Sequence, residues 1–238
     1  TVGAITDSWT PDDRSDAYIP DFSSRGPTPA AHIKPDLVAP GGHMTGITRP
    51  GSTLTTEYPE YLLRTGEFVM TGSSQAAALV SGLVALLLQL EPELTPDQVK
   101  CMLTSSAEPA INLDGLLAYS PFVQGHGLVS VTRAVTLGDR DCGNADLDLA
   151  KELSGDTHFE GPATVTDAGD VSLPGLDVLL SPAPPAKGKS DTRAWGVKAH
   201  VERLPEDRAP DPEAAFDWIG IYEMERARIQ TLRAGNGE

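Results

Sequence analysis

The 238 residues carry a formal net charge of −16 and are 39% hydrophobic, enough apolar side chain for a buried core and against global disorder. An acidic surface excludes the positive field that nucleic-acid backbone binding needs. It aids solubility and attracts cations such as calcium without naming a cofactor or a metal ligand. The charge is not confined to a tail, since residues 1–142 and 143–238 each sum to −8.

In chain order, Thr1-Val2-Gly3-Ala4-Ile5-Thr6 is short, β-branched and strand-like, and Asp7 to Arg14 reads as a loop around Pro11. A second strand-like piece surrounds Phe22 and ends at Arg25-Gly26-Pro27. A third runs from Ile33 to Ala39 and closes at Pro40-Gly41. Residues 42–66 form a Gly/Thr-rich connection, after which Glu67 to Met70 leads into the most informative segment.

From Ser74 to Leu90 nearly every position is small or apolar, which predicts a central helix buried on all sides. Its longest apolar run, Ala76 to Leu90, is too short for a bilayer span, so no membrane is implied. Pro92 ends it. Thr95 and Pro96 then supply the N-cap and first position of a second helix, with Val99, Met102 and Leu103 facing inward. Gly125-His126-Gly127 is a tight turn before a short helix at Thr132 to Val135. Cys101 and Cys142 form no metal or redox motif, and one disulfide or two separate thiols fit the sequence equally.

Three regions follow from these shifts in character. Residues 1–142 form the main domain, 143–192 a polar extension ending in the linker-like Ser181–Thr192, and 193–238 a small segment of unassigned role. In the last, Trp195 to Val201 alternates like a strand, and Phe216 to Leu232 reads as a strand followed by a charged helix.

The chemistry centres on Gly72-Ser73-Ser74, where a strand turns into the central helix. The first N–H groups of a helix have no internal partner and its N-terminus is partially positive. A serine there can attack a carbonyl while its own N–H steadies the oxyanion, and Gly72 leaves room for a substrate backbone. Taken by itself, such a serine is more often a plain N-cap.

The stretch Gly72-Ser73-Ser74-Gln75-Ala76-Ala77-Ala78-Leu79-Val80-Ser81-Gly82 resembles the subtilase nucleophile motif G-T-S-x-A-A-P-H-V-A/S-G. Thr1–Ala4, Phe22-Ser23-Ser24-Arg25-Gly26-Pro27, Lys34-Pro35-Asp36-Leu37-Val38-Ala39-Pro40-Gly41, Leu94–Lys100 and Gly125–Val129 match further blocks of that family in its order. Ser73 stands where the family usually has Thr, and Ala78-Leu79 replaces Pro-His at helix positions outside the triad.

The resemblance implies an extracellular serine endopeptidase acting on polypeptides. Its fold would be α/β, a mostly parallel subtilisin-like sheet around the buried helix, with an irregular or small β-rich C-terminal extension. Ser74 would be the nucleophile, with Gly72, Ser73 and Ser74 forming the oxyanion and substrate-approach surface.

The family's aspartate, in D-[ST]-G, and histidine, in H-G-T, lie upstream of the serine. Neither string occurs in the chain, and the oxyanion asparagine would fall just before Thr1. The expected partner is therefore the N-terminal half of the catalytic domain, and residues 1–238 alone should be inactive and marginally stable. His32, His43, His126, His158 and His200 are the local histidines. His43 falls in an expected loop and His126 at a variable turn site, so neither reads as the base. Two other readings remain: a catalytically inert scaffold or interaction module, and an unrelated serine hydrolase. The second is disfavoured because Ala76 breaks the G-x-S-x-G elbow.

Overall fold

The computed structural model describes residues 1–7, 17–28, 30–111, 115–137, 139–145, 147–156, 158–165 and 171–180. The expected loop at 8–14, the linker at 181–192, the strand at 195–201 and the elements at 216–232 lie outside these residues.

The core begins with two parallel strands, β1 (Val2–Ile5) and β2 (Leu37–Pro40), in register Val2 to Leu37 and Ile5 to Pro40. Alternation along each strand sorts the side chains onto two faces. Ala4, Leu37 and Ala39 face a cluster with Ala76, Val80 and Met102, whereas Ile5 and Val38 face Ile19, Tyr119 and Leu128. Val38 also extends the pairing to the chain around Leu128, donating to Gly127 O at 2.9 Å and accepting from Val129 N at 2.9 Å.

That second approach explains the Gly125-x-Gly127 turn. Both glycines have positive φ, and a Cβ would meet Pro35 O at 2.3 Å from Gly125 and Glu108 O at 2.2 Å from Gly127. The Phe22–Pro27 segment forms no strand, contrary to its composition. Its polar groups brace other elements: buried Ser23 Oγ accepts from Ala4 N at 3.0 Å, and Gly26 N donates to Lys34 O at 2.8 Å.

The connection after Pro40 is more ordered than its Gly/Thr content predicts. It contains β3 (Met44–Ile47), the short helix α1 (Thr53–Glu57) and a 3₁₀ turn at Pro59–Tyr61. β3 pairs antiparallel with β4 (Glu67–Met70), anchored by buried Phe68 and Val69. The expectation of a mostly parallel sheet holds for the core pair β1–β2, while β3 and β4 form a separate antiparallel pair. The described strands form one parallel pair and two antiparallel pairs, in three separate two-stranded sheets.

The central helix, α2 (Ser73–Leu90), packs on β1 and β2 through small residues. Ala4, Ala39 and Ala76 are all fully buried, which lets the helix approach closely. Burying Val80 and Leu87 contributes roughly 1.5–3 kcal/mol each.

The predicted burial on all sides does not hold. Leu86 is 52% and Leu90 64% exposed, because β1, β2 and α3 (Pro96–Ser105) cover one face only. Starting at Ser73, α2 spans eighteen residues with mean hydropathy 1.6, long and apolar enough to cross a bilayer by those measures.

α3 has the expected start: Thr95 Oγ1 accepts from Gln98 N, and Gln98 Oε1 accepts from Thr95 N, a complete capping box. Its buried Val99, Met102 and Leu103 match the predicted inward face. α4 (Pro121–Gln124) precedes the Gly125 turn, and α5 (Val131–Leu137) is longer than the predicted 132–135. The described part of the extension holds α6 (Leu149–Ser154), the pair β5 (Thr164–Val165) and β6 (Val171–Ser172), and α7 (Leu176–Leu179).

Candidate active site

The site is assembled where β2 and β4 end side by side. β2 runs out through Gly41 and β4 through Thr71-Gly72. Gly72 N donates to Gly41 O at 2.8 Å. The approach is tight enough that a Cβ on Gly41 would meet Gly72 O at 2.6 Å and Ala76 Cβ at 3.1 Å. Thr71 Oγ1 accepts from His43 N at 2.9 Å, a second tie between the chain leaving β2 and the chain entering α2.

Gly72 is buried and extended, and it serves as the N-cap of α2 through its carbonyl. That oxygen accepts from Gln75 N at 3.1 Å and Ala76 N at 3.3 Å. Ser73 and Ser74 are the first two helical residues, so their N–H groups belong to the set that a helix leaves without an internal partner. Ser73 is half-buried and Ser74 exposed. The three residues singled out from the sequence therefore lie together, on a backbone fixed from behind. The partial positive charge of an eighteen-residue helix gathers at the place where Ser74 meets solvent. Such a terminus suits a developing oxyanion.

The sequence model of the subtilase family matches residues 1–143. The chain belongs to the subtilase family. The family is one of serine peptidases. The serine protease AprX of Bacillus subtilis is 34% identical over 135 residues, which cover 57% of this chain and 29% of that protein. Subtilisin-like protease SBT3.4 of Arabidopsis thaliana is 34% identical over 128 residues, 49% of this chain and 15% of the relative. Bacillopeptidase F of Bacillus subtilis is 33% identical, covering 56% and 8%. The chain thus spans between 8% and 29% of the length of these relatives. Among solved structures, fervidolysin from Fervidobacterium pennivorans aligns with 57% of the chain at 24% identity and TM-score 0.41. The prenylagaramide maturation protease PagA aligns with 58% at 27% identity and TM-score 0.40.

Among the described residues of this subtilase chain, none hydrogen-bonds to Ser74 Oγ. The histidines have other neighbours. His43 has a buried side chain with Nδ1 3.8 Å from Asp7 Oδ1. His32 Nε2 lies 3.0 Å from Phe159 O, and His158 Nδ1 lies 2.8 Å from Glu152 Oε1. His126 is exposed and donates its backbone N–H to Asp36 O. His200 lies outside the described residues. No three His, Cys, Asp or Glu side chains come together as a metal centre among the described residues.

Two features of the subtilase site escape a residue-by-residue reading. Gly41 contributes as much as Gly72 to holding the helix start, and its only signal is the glycine that ends the Lys34–Gly41 block. Gln75 Nε2 contacts Met70 Sδ at 3.6 Å, joining the last residue of β4 to the residue after Ser74. The cysteine question is also decided: Cys101 and Cys142 form a disulfide.

Proposed function

We propose that this chain is the nucleophile-bearing part of a serine endopeptidase that cleaves polypeptides through an acyl-enzyme, with Ser74 as the nucleophile. One observation carries the reading: Ser74 is exposed on the first turn of α2, directly after a Gly72 that is locked to Gly41. In this mechanism a histidine takes the Ser74 proton as Oγ bonds to the scissile carbonyl carbon. Negative charge then forms on the carbonyl oxygen, where the Ser74 N–H and the helix terminus stabilise it, with the Ser73 hydroxyl as a supporting donor. Collapse expels the amine, which takes the proton, and water repeats the sequence to free the acid. Gly72 leaves the space through which the substrate backbone passes. A cofactor plays no part in this reading.

The histidine, the aspartate that orients it and the oxyanion asparagine belong to a part of the polypeptide outside residues 1–238. We place that part against the uncovered face of α2, where Leu86 and Leu90, one turn apart, are exposed. An exposed apolar stripe of this kind marks an interface. The Cys101–Cys142 disulfide supports an extracellular setting, since such bonds persist in oxidising compartments.

The test is covalent labelling of the natural full-length polypeptide with a fluorophosphonate, followed by peptide mapping. Label on Ser74, lost in Ser74→Ala together with peptide cleavage, supports the reading. Cleavage that survives Ser74→Ala would overturn it. Absence of both label and cleavage leaves the inert-scaffold reading in its place.

A further inference from the structure

Two segments near and beyond the end of the family match at residue 143 return to the body of the fold at separate places. The first is residues 139–145, which fasten to α3. Cys142 is bonded to Cys101, Asn144 Nδ2 donates to Asp97 Oδ1 at 2.6 Å, and Asn144 Oδ1 accepts from Lys100 Nζ. Gly143 lies so close that a Cβ there would meet Asp97 O at 2.0 Å. Outside α3, Arg140 Nη2 reaches Glu91 Oε1 at 2.8 Å.

The second is residues 158–163, wholly past the match, which lie along the turn at residues 30–34. Gly161 N donates to Ala30 O at 2.7 Å and Ala163 N to Ala31 O at 3.2 Å. The Phe159 ring lies over His32, centroids 4.8 Å apart, and the Phe159 carbonyl meets His32 Nε2 at 3.0 Å. Contact at Gly161 is backbone against backbone, and a Cβ would meet Ala31 O at 2.1 Å. Glu152 of α6 turns the chain into this position, accepting from Phe159 N at 2.6 Å.

We propose that residues 158–163 are a strap that fastens the extension onto the Ala30–Lys34 turn, so that the folded unit around Ser74 continues past the family match to Ala163. The strap has backbone hydrogen bonds, a ring contact and a glycine that no other residue can replace without displacement. These are the marks of a packed contact, and a tail lying loosely on the surface would need none of them. Its position also matters. The turn it braces leads through Lys34 and Asp36 directly into β2, the strand that ends at Gly41 beside Gly72. The inference does not depend on the chain hydrolysing peptides.

The test is amide hydrogen exchange on the full chain, residue by residue, with Gly161→Val and Phe159→Ala as variants. In the unaltered protein the Gly161 and Ala163 amides should exchange at least about tenfold more slowly than freely exposed amides, as expected of a closed local unit. Both variants should remove that protection. The amides of Val38 and Val129, which bond across β2, should keep theirs and so report an intact core. Should Gly161→Val fail to fold, Phe159→Ala decides, because it removes only the ring contact. Unprotected Gly161 and Ala163 amides in the unaltered protein, or protection unchanged in Phe159→Ala, would overturn the strap.

Discussion

The backbone N–H of Gly72 donates to the carbonyl of Gly41 at 2.8 Å, and this bond, with the tie from His43 N to Thr71 Oγ1, holds the end of the core strand β2 against the start of the helix that bears Ser74. Neither glycine has a side chain to interfere, and the space between them admits none. Gly41→Ala should therefore push the two segments apart. The expected cost is about 1–3 kcal/mol of stability. Because the shift falls beside the proposed nucleophile, kcat of the full-length polypeptide should fall more than KM rises. Steady-state kinetics combined with thermal melting would check this, and an unaltered kcat would show that Gly41 does not position Ser74.

Ser74→Ala removes an exposed hydroxyl and no packing, so stability should change by less than about 0.5 kcal/mol. Loss of the nucleophile of a serine-peptidase triad lowers kcat by about a million-fold. Ser73→Ala keeps the nucleophile and should cost far less. Peptide hydrolysis assays on the full-length polypeptide, with melting curves alongside, separate the two effects.

The disulfide between Cys101 and Cys142 closes a loop over a sequence separation of 41. Constraining the unfolded chain over that length stabilises by about 2–4 kcal/mol. Cys142→Ser, or reduction of the bond, should lower the denaturant midpoint accordingly. Urea unfolding with and without reductant would measure it.

Asp36 is largely buried beside Lys34 Nζ at 2.7 Å, with Lys100 Nζ 3.5 Å away. Burial acts to raise its pKa. The Lys34 ammonium that donates to it acts the other way and draws the carboxyl below the usual carboxylate range. A carboxylate whose folded pKa is depressed stabilises the fold above its unfolded pKa and loses that contribution as pH falls toward the folded value. Asp36→Asn should therefore destabilise at pH 7, by about 1.5–3 kcal/mol for a hydrogen bond to a charged group. The difference from the unaltered protein should shrink steadily below pH 4. Unfolding measured from pH 7 to pH 2 would reveal a constant difference if the pairing is unimportant.

The exposed leucines of α2 make a further place to probe. Leu86→Gln together with Leu90→Gln should reduce self-association of residues 1–238 prepared alone, since both side chains are more than half exposed. In the full-length polypeptide the same pair should lower activity by loosening the catalytic halves. Sedimentation of the first and hydrolysis by the second provide the two readings, and a fully active double variant would move the proposed interface elsewhere.

Much of this was legible in the linear chain because it depends on neighbours along the sequence. The capping box at Thr95 and Gln98, the stop at Pro92 and the apolar run of α2 follow from local backbone chemistry, and the blocks from Thr1 to Val129 carried the family. The place of Ser74 on the first turn of that helix was legible for the same reason, a small-residue helix start directly after a glycine. Tertiary structure decided what depends on distant partners. The strand-like composition around Phe22 yielded no strand because Ser23 and Gly26 bond to β1 and to Lys34 instead. The full burial expected for α2 failed because a hydrophobic pattern states what a helix can bury, while the elements packed against it determine which face is covered. The Cys101–Cys142 bond, the Gly41–Gly72 contact and the docking of Gly161 on Ala31 each join residues that are at least thirty positions apart, and no periodicity along the chain can encode such a meeting.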